Sequence, residues 1–217
     1  PSCASVRPPS PVAATSSKKA LAKKMKKVKS LEEVMELTMD QVPFPLKSTR
    51  VWISPNSEGQ KMEGQGMVFQ KSYFDGSAGG SSSMQGGKTE LSAEEIAAKQ
   101  KSVGLFPEMN YATSGMTYEL LGIENKDGKD CYVLKINDGK TETYDYYDKA
   151  TFYKVSSMSI EKNGDEVNES SISYSDFKEQ DGFIFPNSMN ISMGPANFAV
   201  KVSTRTLNAK VDLGSYK

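Results

Sequence analysis

Three carboxylates close together, Glu142, Asp145 and Asp148, are the residues whose type and spacing could do chemistry. A carboxylate pair can divide acid and base roles, and a denser cluster can hold Ca²⁺. Strand geometry speaks against both, because it points Asp145 and Asp148 to opposite faces. The DxDxDG spacing of a calcium loop is absent as well. Residues 77–87, SAGGSSSMQGG, could pass for a phosphate cradle. They lack GxxxxGK[ST] and no helix follows at once, so they read as a loop. Cys3 and Cys131 are too few for a Cys-rich zinc site and read as unpaired. There is no histidine. That removes Ser-His-Asp and Cys-His catalysis and the HExxH and HxxEH zinc peptidase signatures. No catalytic residue, metal site or cofactor site can be named, and the expectation is a chain that is not an enzyme by itself.

The elements that would position any site come next. At 217 residues the chain can bury a core without staples, and one domain is expected over residues 18–217. Lys+Arg and Asp+Glu both number 27, so no global field points to nucleic acid. No run approaches the roughly 20 apolar residues of a membrane-spanning helix, and no signal-peptide apolar stretch is visible. Residues 1–17 carry four prolines and five serines and suit a flexible tail. Residues 18–29, KKALAKKMKKVK, form a lysine-rich helical pattern with Leu21, Met25 and Val28 on one side. Such a run suits phosphate or lipid headgroups, or simply a solvated helix face.

From Leu31 onward the pattern is strand-like, with helix still open. Met35, Leu37 and Met39 alternate with Val34, Glu36, Thr38 and Asp40, and Arg50–Ile53 is stopped by Pro55. Residues 61–74 read as one or two strands broken near Gly64 and Gly66. Ser92 and Glu95 make a capping box for a helix that runs to about Val103. The second half repeats a hairpin pattern. Asp127-Gly128, Asp138-Gly139, Asn163-Gly164 and Asp181-Gly182 are turn signals. Between them lie strand runs at 117–124, 130–136, 141–147, 152–161, 167–177, 183–193 and 198–206. The expected fold is mainly β, a meander of about nine to eleven antiparallel strands with one or two helices, and a sheet that long curls.

Several segments occur together in a definite order: Gln70–Gly76, Met84–Lys88, Glu90–Ser92 with its helix, Leu105–Glu108, Tyr118–Glu124, Gly128–Asp130, Tyr144–Asp148, Tyr174–Phe177 and Asp181–Pro186. This set resembles the C-terminal lipoprotein-carrier-like (LolA-like) domain of bacterial insulinase-type zinc peptidase polypeptides. The likeness covers about residues 18–217. It implies a strongly curved antiparallel sheet or incomplete barrel, with one to three helices over a concave apolar face that holds acyl chains. It also implies a periplasmic or outer-membrane-associated location in Gram-negative bacteria, and peptidase domains of the same polypeptide as partners.

Eleven methionines fit either core packing or the lining of an adaptable cavity. Met35, Met39, Met67, Met109, Met116, Met158, Met189 and Met193 all sit in apolar patterns. Trp52, Phe106, Met109 and Tyr111 could mark a cavity mouth. The lining candidates are Met189, Ile191, Met193, Tyr132, Leu134 and Ile136 from strands, and Leu21, Met25 and Ile96 from lid helices. Two readings stay open: a carrier of a lipid, lipopeptide or other amphipathic ligand, and a closed-core module that positions a peptidase and binds no small ligand.

Overall fold

The computed structural model describes residues 23–40, 42–102, 104, 106, 115–163 and 166–217. Thirteen strands follow in chain order: β1 Ser30–Met39, β2 Val42–Ile53, β3 Ser57–Gly64, β4 Met67–Phe74, β5 Gly79–Ser83, β6 Gly87–Glu90, β7 Thr117–Lys126, β8 Lys129–Asn137, β9 Thr141–Asp148, β10 Lys154–Asn163, β11 Glu166–Gln180, β12 Phe183–Met193 and β13 Ala196–Leu207. The helix α1 spans Ala93–Ser102, and a 3-10 turn spans Leu213–Tyr216. The sheet order is β6-β5-β4-β3-β2-β1-β13-β12-β11-β10-β9-β8-β7, an open order with β6 and β7 at its ends. The chain divides into two compact units, one with Gly115–Ala199 and the other with Ser16–Ser114 and Val200–Lys217.

In the Gly115–Ala199 unit two of the four hairpin signals act as expected. Asp127 and Gly128 take φ of 51° and 80°, and Asp181 and Gly182 take 52° and 71°. Both central residues thus have the positive φ of a type I′ turn, whose twist matches that of the flanking strands. At Asp138-Gly139 only Gly139 has positive φ, 99°. That turn is centred on Gly139-Lys140, where the Asp138 amide donates to the Thr141 carbonyl at 3.3 Å. Asn163 pairs with Glu166, and Gly164 of the expected Asn163-Gly164 turn lies outside the described residues. Six of the seven expected strand runs are strands throughout, and the run expected from 152 begins at Lys154, because Phe152 sits at φ 60° in the preceding turn.

In the other unit, β1 pairs with β2 so that Leu31, Met35 and Leu37 share a face with Trp52, Ser48 and Leu46. Leu31, Met35, Leu37, Leu46 and Ser48 are buried on that face. Residues 61–74 are two strands, β3 and β4, joined through Gln65 and Gly66 at φ 51° and 77°. The expected capping box is present: the Ser92 amide donates to Glu95 Oε2 at 2.7 Å and the Glu95 amide to Ser92 Oγ at 3.3 Å.

Three expectations need correction. The glycine- and serine-rich stretch is not a loop, because residues 79–83 and 87–90 are strands β5 and β6. A Cβ on Gly79 would stand 2.7 Å from the Tyr73 carbonyl oxygen, and one on Gly80 2.7 Å from that of Thr89. Glycine is used there because neighbouring backbone approaches too closely for a side chain. These two strands raise the count above the nine to eleven expected. Lastly, the lysine-rich helical pattern does not run to 29. Helix is described only at residues 23–25, after which the amides of Lys27 and Val28 bond three residues back to Lys24 and Met25. The Lys29 amide donates instead to Asn208 Oδ1 at 2.7 Å, which turns the chain into β1.

Candidate ligand-binding face

Register decides which side chains share a face, since directly opposed residues point to the same side. In the Gly115–Ala199 unit, Tyr132, Leu134 and Ile136 on β8 oppose Ile123, Leu120 and Tyr118 on β7. They also oppose Tyr147, Asp145 and Thr143 on β9. The same face continues through Ser157 and Ser159 on β10 to Ile172 and Ser170 on β11. It reaches β12 where Ile172 opposes Ile191, Tyr174 opposes Met189 and Ser170 opposes Met193. All six strand candidates therefore lie on one face of one unit. Met25, which is buried, and Ile96, which is half-buried, belong to the other unit. Leu21, Met109 and Tyr111 lie outside the described residues.

The face has two apolar patches with a polar stripe between them. One patch is β7–β8, where Leu120 is 40% and Ile123 49% exposed while Leu134 is buried. The other is β11–β12, where Met193 is 56% exposed and Met189 and Ile191 are half-buried. The stripe centres on Asp145, whose side chain is 3% exposed. Asp145 Oδ1 accepts from Ser157 Oγ at 2.7 Å. Its Oδ2 accepts from Tyr147 Oη and from Lys154 Nζ, each at 3.3 Å. Lys154 Nζ also sits 5.8 Å from the Tyr174 ring centroid, a cation–π distance. Thr143 and Ser159 hydroxyls are 3.1 Å apart on the same stripe. Sequence reasoning treated Asp145 only as a catalytic or metal candidate and missed this cluster. The signal was available: on alternating strands Asp145 shares parity with Tyr147 and Thr143.

The opposite side of these strands is not simply wetter, contrary to the alternation rule. Cys131 and Val133, facing away from the six candidates, have no exposure at all, and Asp148 and Ser156 are buried there too. Val133 and Ser156 both oppose Tyr146. Asp148 lies on the face opposite Asp145, as the spacing implied. Its carboxylate caps the following turn. Burial raises its pKa, but the amides of Thr151 and Ala150, donating at 2.9 and 2.8 Å to Oδ1, hold it below the ordinary carboxylate value overall. A depressed folded pKa gives stability that is present above the unfolded pKa of about 4 and is lost as pH falls through the folded value. Denaturant midpoints at pH 6 and pH 3 should therefore fall less steeply for Asp148→Asn than for the parent. An unchanged pH dependence would show that the turn does not depend on the ionised form.

In the other unit the described residues form α1 and line small cavities. α1 is tied to the β3–β4 side by Lys99, whose Nζ bonds Glu58 Oε1 at 2.5 Å and lies 5.9 Å from the Phe74 ring centroid. Gln100 Nε2 donates to the Gly76 carbonyl at 3.0 Å. Arg50 reaches the same Glu58 at 3.6 Å and stacks 4.3 Å over Trp52. A cavity of about 80 Å³ lies among Arg50, Glu58, Gln60, Leu91 and Lys99. Another of about 140 Å³ lies among Tyr73, Gly80, Lys88, Glu90 and Tyr216. Each is smaller than the roughly 300 Å³ at which ligand pockets begin. No group of three metal-ligating side chains occurs among the described residues, and no described helix is long and apolar enough to cross a membrane.

Three solved structures share this arrangement at low identity. A domain ascribed to an outer membrane lipoprotein-sorting protein of Vibrio parahaemolyticus is 10% identical, with 91% of this chain and 94% of that one covered and a TM-score of 0.58. A DUF1329 family protein from Desulfovibrio piger is 13% identical, with 91% and 93% covered and a TM-score of 0.60. A LolA superfamily protein from Nitrosomonas europaea is 10% identical, with 94% and 98% covered and a TM-score of 0.59. No protein-family profile and no curated protein matches the chain. At these identities the likeness is one of fold: a mainly β, LolA-like antiparallel sheet.

Proposed function

We propose that this chain is a non-catalytic carrier-like domain that holds a lipid, lipopeptide or other amphipathic ligand against the β7–β12 face. The observation that carries the reading is the register. It gathers Tyr132, Leu134, Ile136, Met189, Ile191 and Met193 on one face that keeps large apolar side chains partly exposed. Apolar side chains left partly exposed on one shared face suit an apolar ligand. The stripe around Asp145 and Lys154 makes the face amphipathic, which suits a ligand with a polar group as well as chains. The fold shared with a domain ascribed to lipoprotein sorting supports the same class of ligand.

The lid candidates Leu21, Met25 and Ile96 rest on the sequence resemblance alone and are not placed on this face. The setting is the periplasm or outer membrane, and the domain serves as an accessory to an insulinase-type zinc peptidase polypeptide, as the sequence resemblance implies. The rival is a closed-core interaction module that binds no small ligand.

Titration calorimetry with a long-chain fatty acid at several temperatures separates the two. A carrier should show saturable binding with a negative heat-capacity change, because apolar area leaves water. No binding by the folded parent chain would leave the interaction module as the reading.

A further inference from the structure

We infer that a second surface, the lysine cluster that leads into β1, docks the domain on an anionic lipid bilayer. Five lysines, Lys23, Lys24, Lys26, Lys27 and Lys29, are exposed here, while Met25 and Val28 between them are buried. The two buried side chains anchor the segment to its unit, and every other position in 23–29 is a lysine. Because the i→i−3 bonds at Lys27 and Val28 keep the segment coiled, the lysines fan outward around that anchor.

The segment is also pinned at its end. Lys29 donates its amide to Asn208 Oδ1, the Ser54 amide donates to the Lys29 carbonyl at 2.8 Å, and Ser30 Oγ donates to the Ala209 carbonyl at 2.6 Å. These bonds bring exposed Lys210 beside the cluster and make six cations in one unit. Among the described residues, Lys23, Lys26, Lys27, Lys29 and Lys210 are in no ion pair, whereas Lys61, Lys99 and Lys217 of the same unit pair with Glu63, Glu58 and Asp75. The chain as a whole is neutral, so the imbalance is local.

Clusters of four to eight basic residues are held at anionic bilayers, each lysine strengthening binding about fivefold, with steep salt dependence. A nucleic acid is the poorer fit, because residues 23–29 hold no aromatic side chain on which a base could stack. The site is separate from the β7–β12 face and its docking does not require that face to bind ligand.

The experiment is co-sedimentation of the full chain with vesicles of phosphatidylcholine alone and with 30–40% phosphatidylglycerol (roughly, a composition chosen to give a strongly negative surface). Binding should occur only to the anionic vesicles and should fall by at least about tenfold between low and high salt. Changing Lys23, Lys24, Lys26 and Lys27 to Gln should weaken binding at least thirtyfold (about fivefold per lysine, allowing for non-additivity) while thermal unfolding is unchanged. Equal binding to neutral vesicles, or full binding by the quadruple variant, overturns the inference. So does tighter binding to an oligonucleotide of equal charge than to the vesicles. Fatty-acid binding by the quadruple variant should stay at the parent's value, so loss of vesicle docking and loss of the carrier activity are read separately.

Discussion

Arg205→Met should destabilise the protein by about 3–5 kcal/mol, the effect expected when one partner of a buried ion pair is removed. Arg205 on β13 bonds Glu33 on β1 through Nε to Oε1 at 2.5 Å, and the two side chains are only 5% and 11% exposed. Removing the guanidinium leaves a carboxylate desolvated beside Leu31 and Met35, which share its face. Arg50 opposes Glu33 in the register, but its guanidinium is engaged with Glu58 and stacked on Trp52. It offers Glu33 little compensation without giving up those contacts. The double variant Arg205→Met with Glu33→Leu removes both charges and should recover most of the loss, because apolar replacement of a buried pair is often neutral. Urea unfolding of the four proteins measures this. A single-variant effect below about 1 kcal/mol would mean that water reaches the pair.

Met189→Asp and Ile191→Asp, made separately, should each weaken fatty-acid binding by about 10- to 100-fold, the equivalent of losing one apolar side chain's burial of roughly 1.5–3 kcal/mol. Both positions are half-buried on the same face of β12, opposite Tyr174 and Ile172. On an open face the new carboxylate stays solvated, so the fold should survive with little change in denaturant midpoint. In a closed core the same carboxylate would be stripped of water and the fold would be lost. The two variants must agree, since the register puts them on one face. If both unfold and the parent binds no fatty acid, the carrier reading falls and the interaction module stands.

Much of the fold was legible because hairpins are local. Asp127-Gly128 and Asp181-Gly182 state their turn type in two residues, and the alternation of Met189, Ile191 and Met193 with polar neighbours states the face. Ser92 and Glu95 fixed the start of α1 in the same local way. What failed was non-local. Gly79 and Gly80 look like loop residues in isolation and are strand residues only because β4 and β6 crowd them. Val28 and Lys29 look helical until Asn208, 179 positions away in sequence from Lys29, takes the amide. The candidate face shows both sides of this. Its six apolar members could be chosen by parity, but the Asp145–Lys154–Ser157 cluster needed the register across β9 and β10. Cys131 and Val133 are fully enclosed although their strand reads as having a dry side and a wet side. A strand's own alternation says nothing about what covers its second side.

The division of the chain into units sets an order of events during synthesis. Gly115–Ala199 is contiguous, and every strand pair recorded within it joins sequence neighbours through a short turn. Such contacts close small loops and form quickly. The other unit draws its last strand segment and 3-10 turn from Val200–Lys217, so Glu33 waits for Arg205 across 172 positions. A ribosome adding about 5–20 residues per second leaves β1 without β13 for roughly 10–30 seconds. During that time the edge of β1 that β13 will take is unpaired. A nascent chain of this kind is most exposed to wrong pairing while its second half is being made.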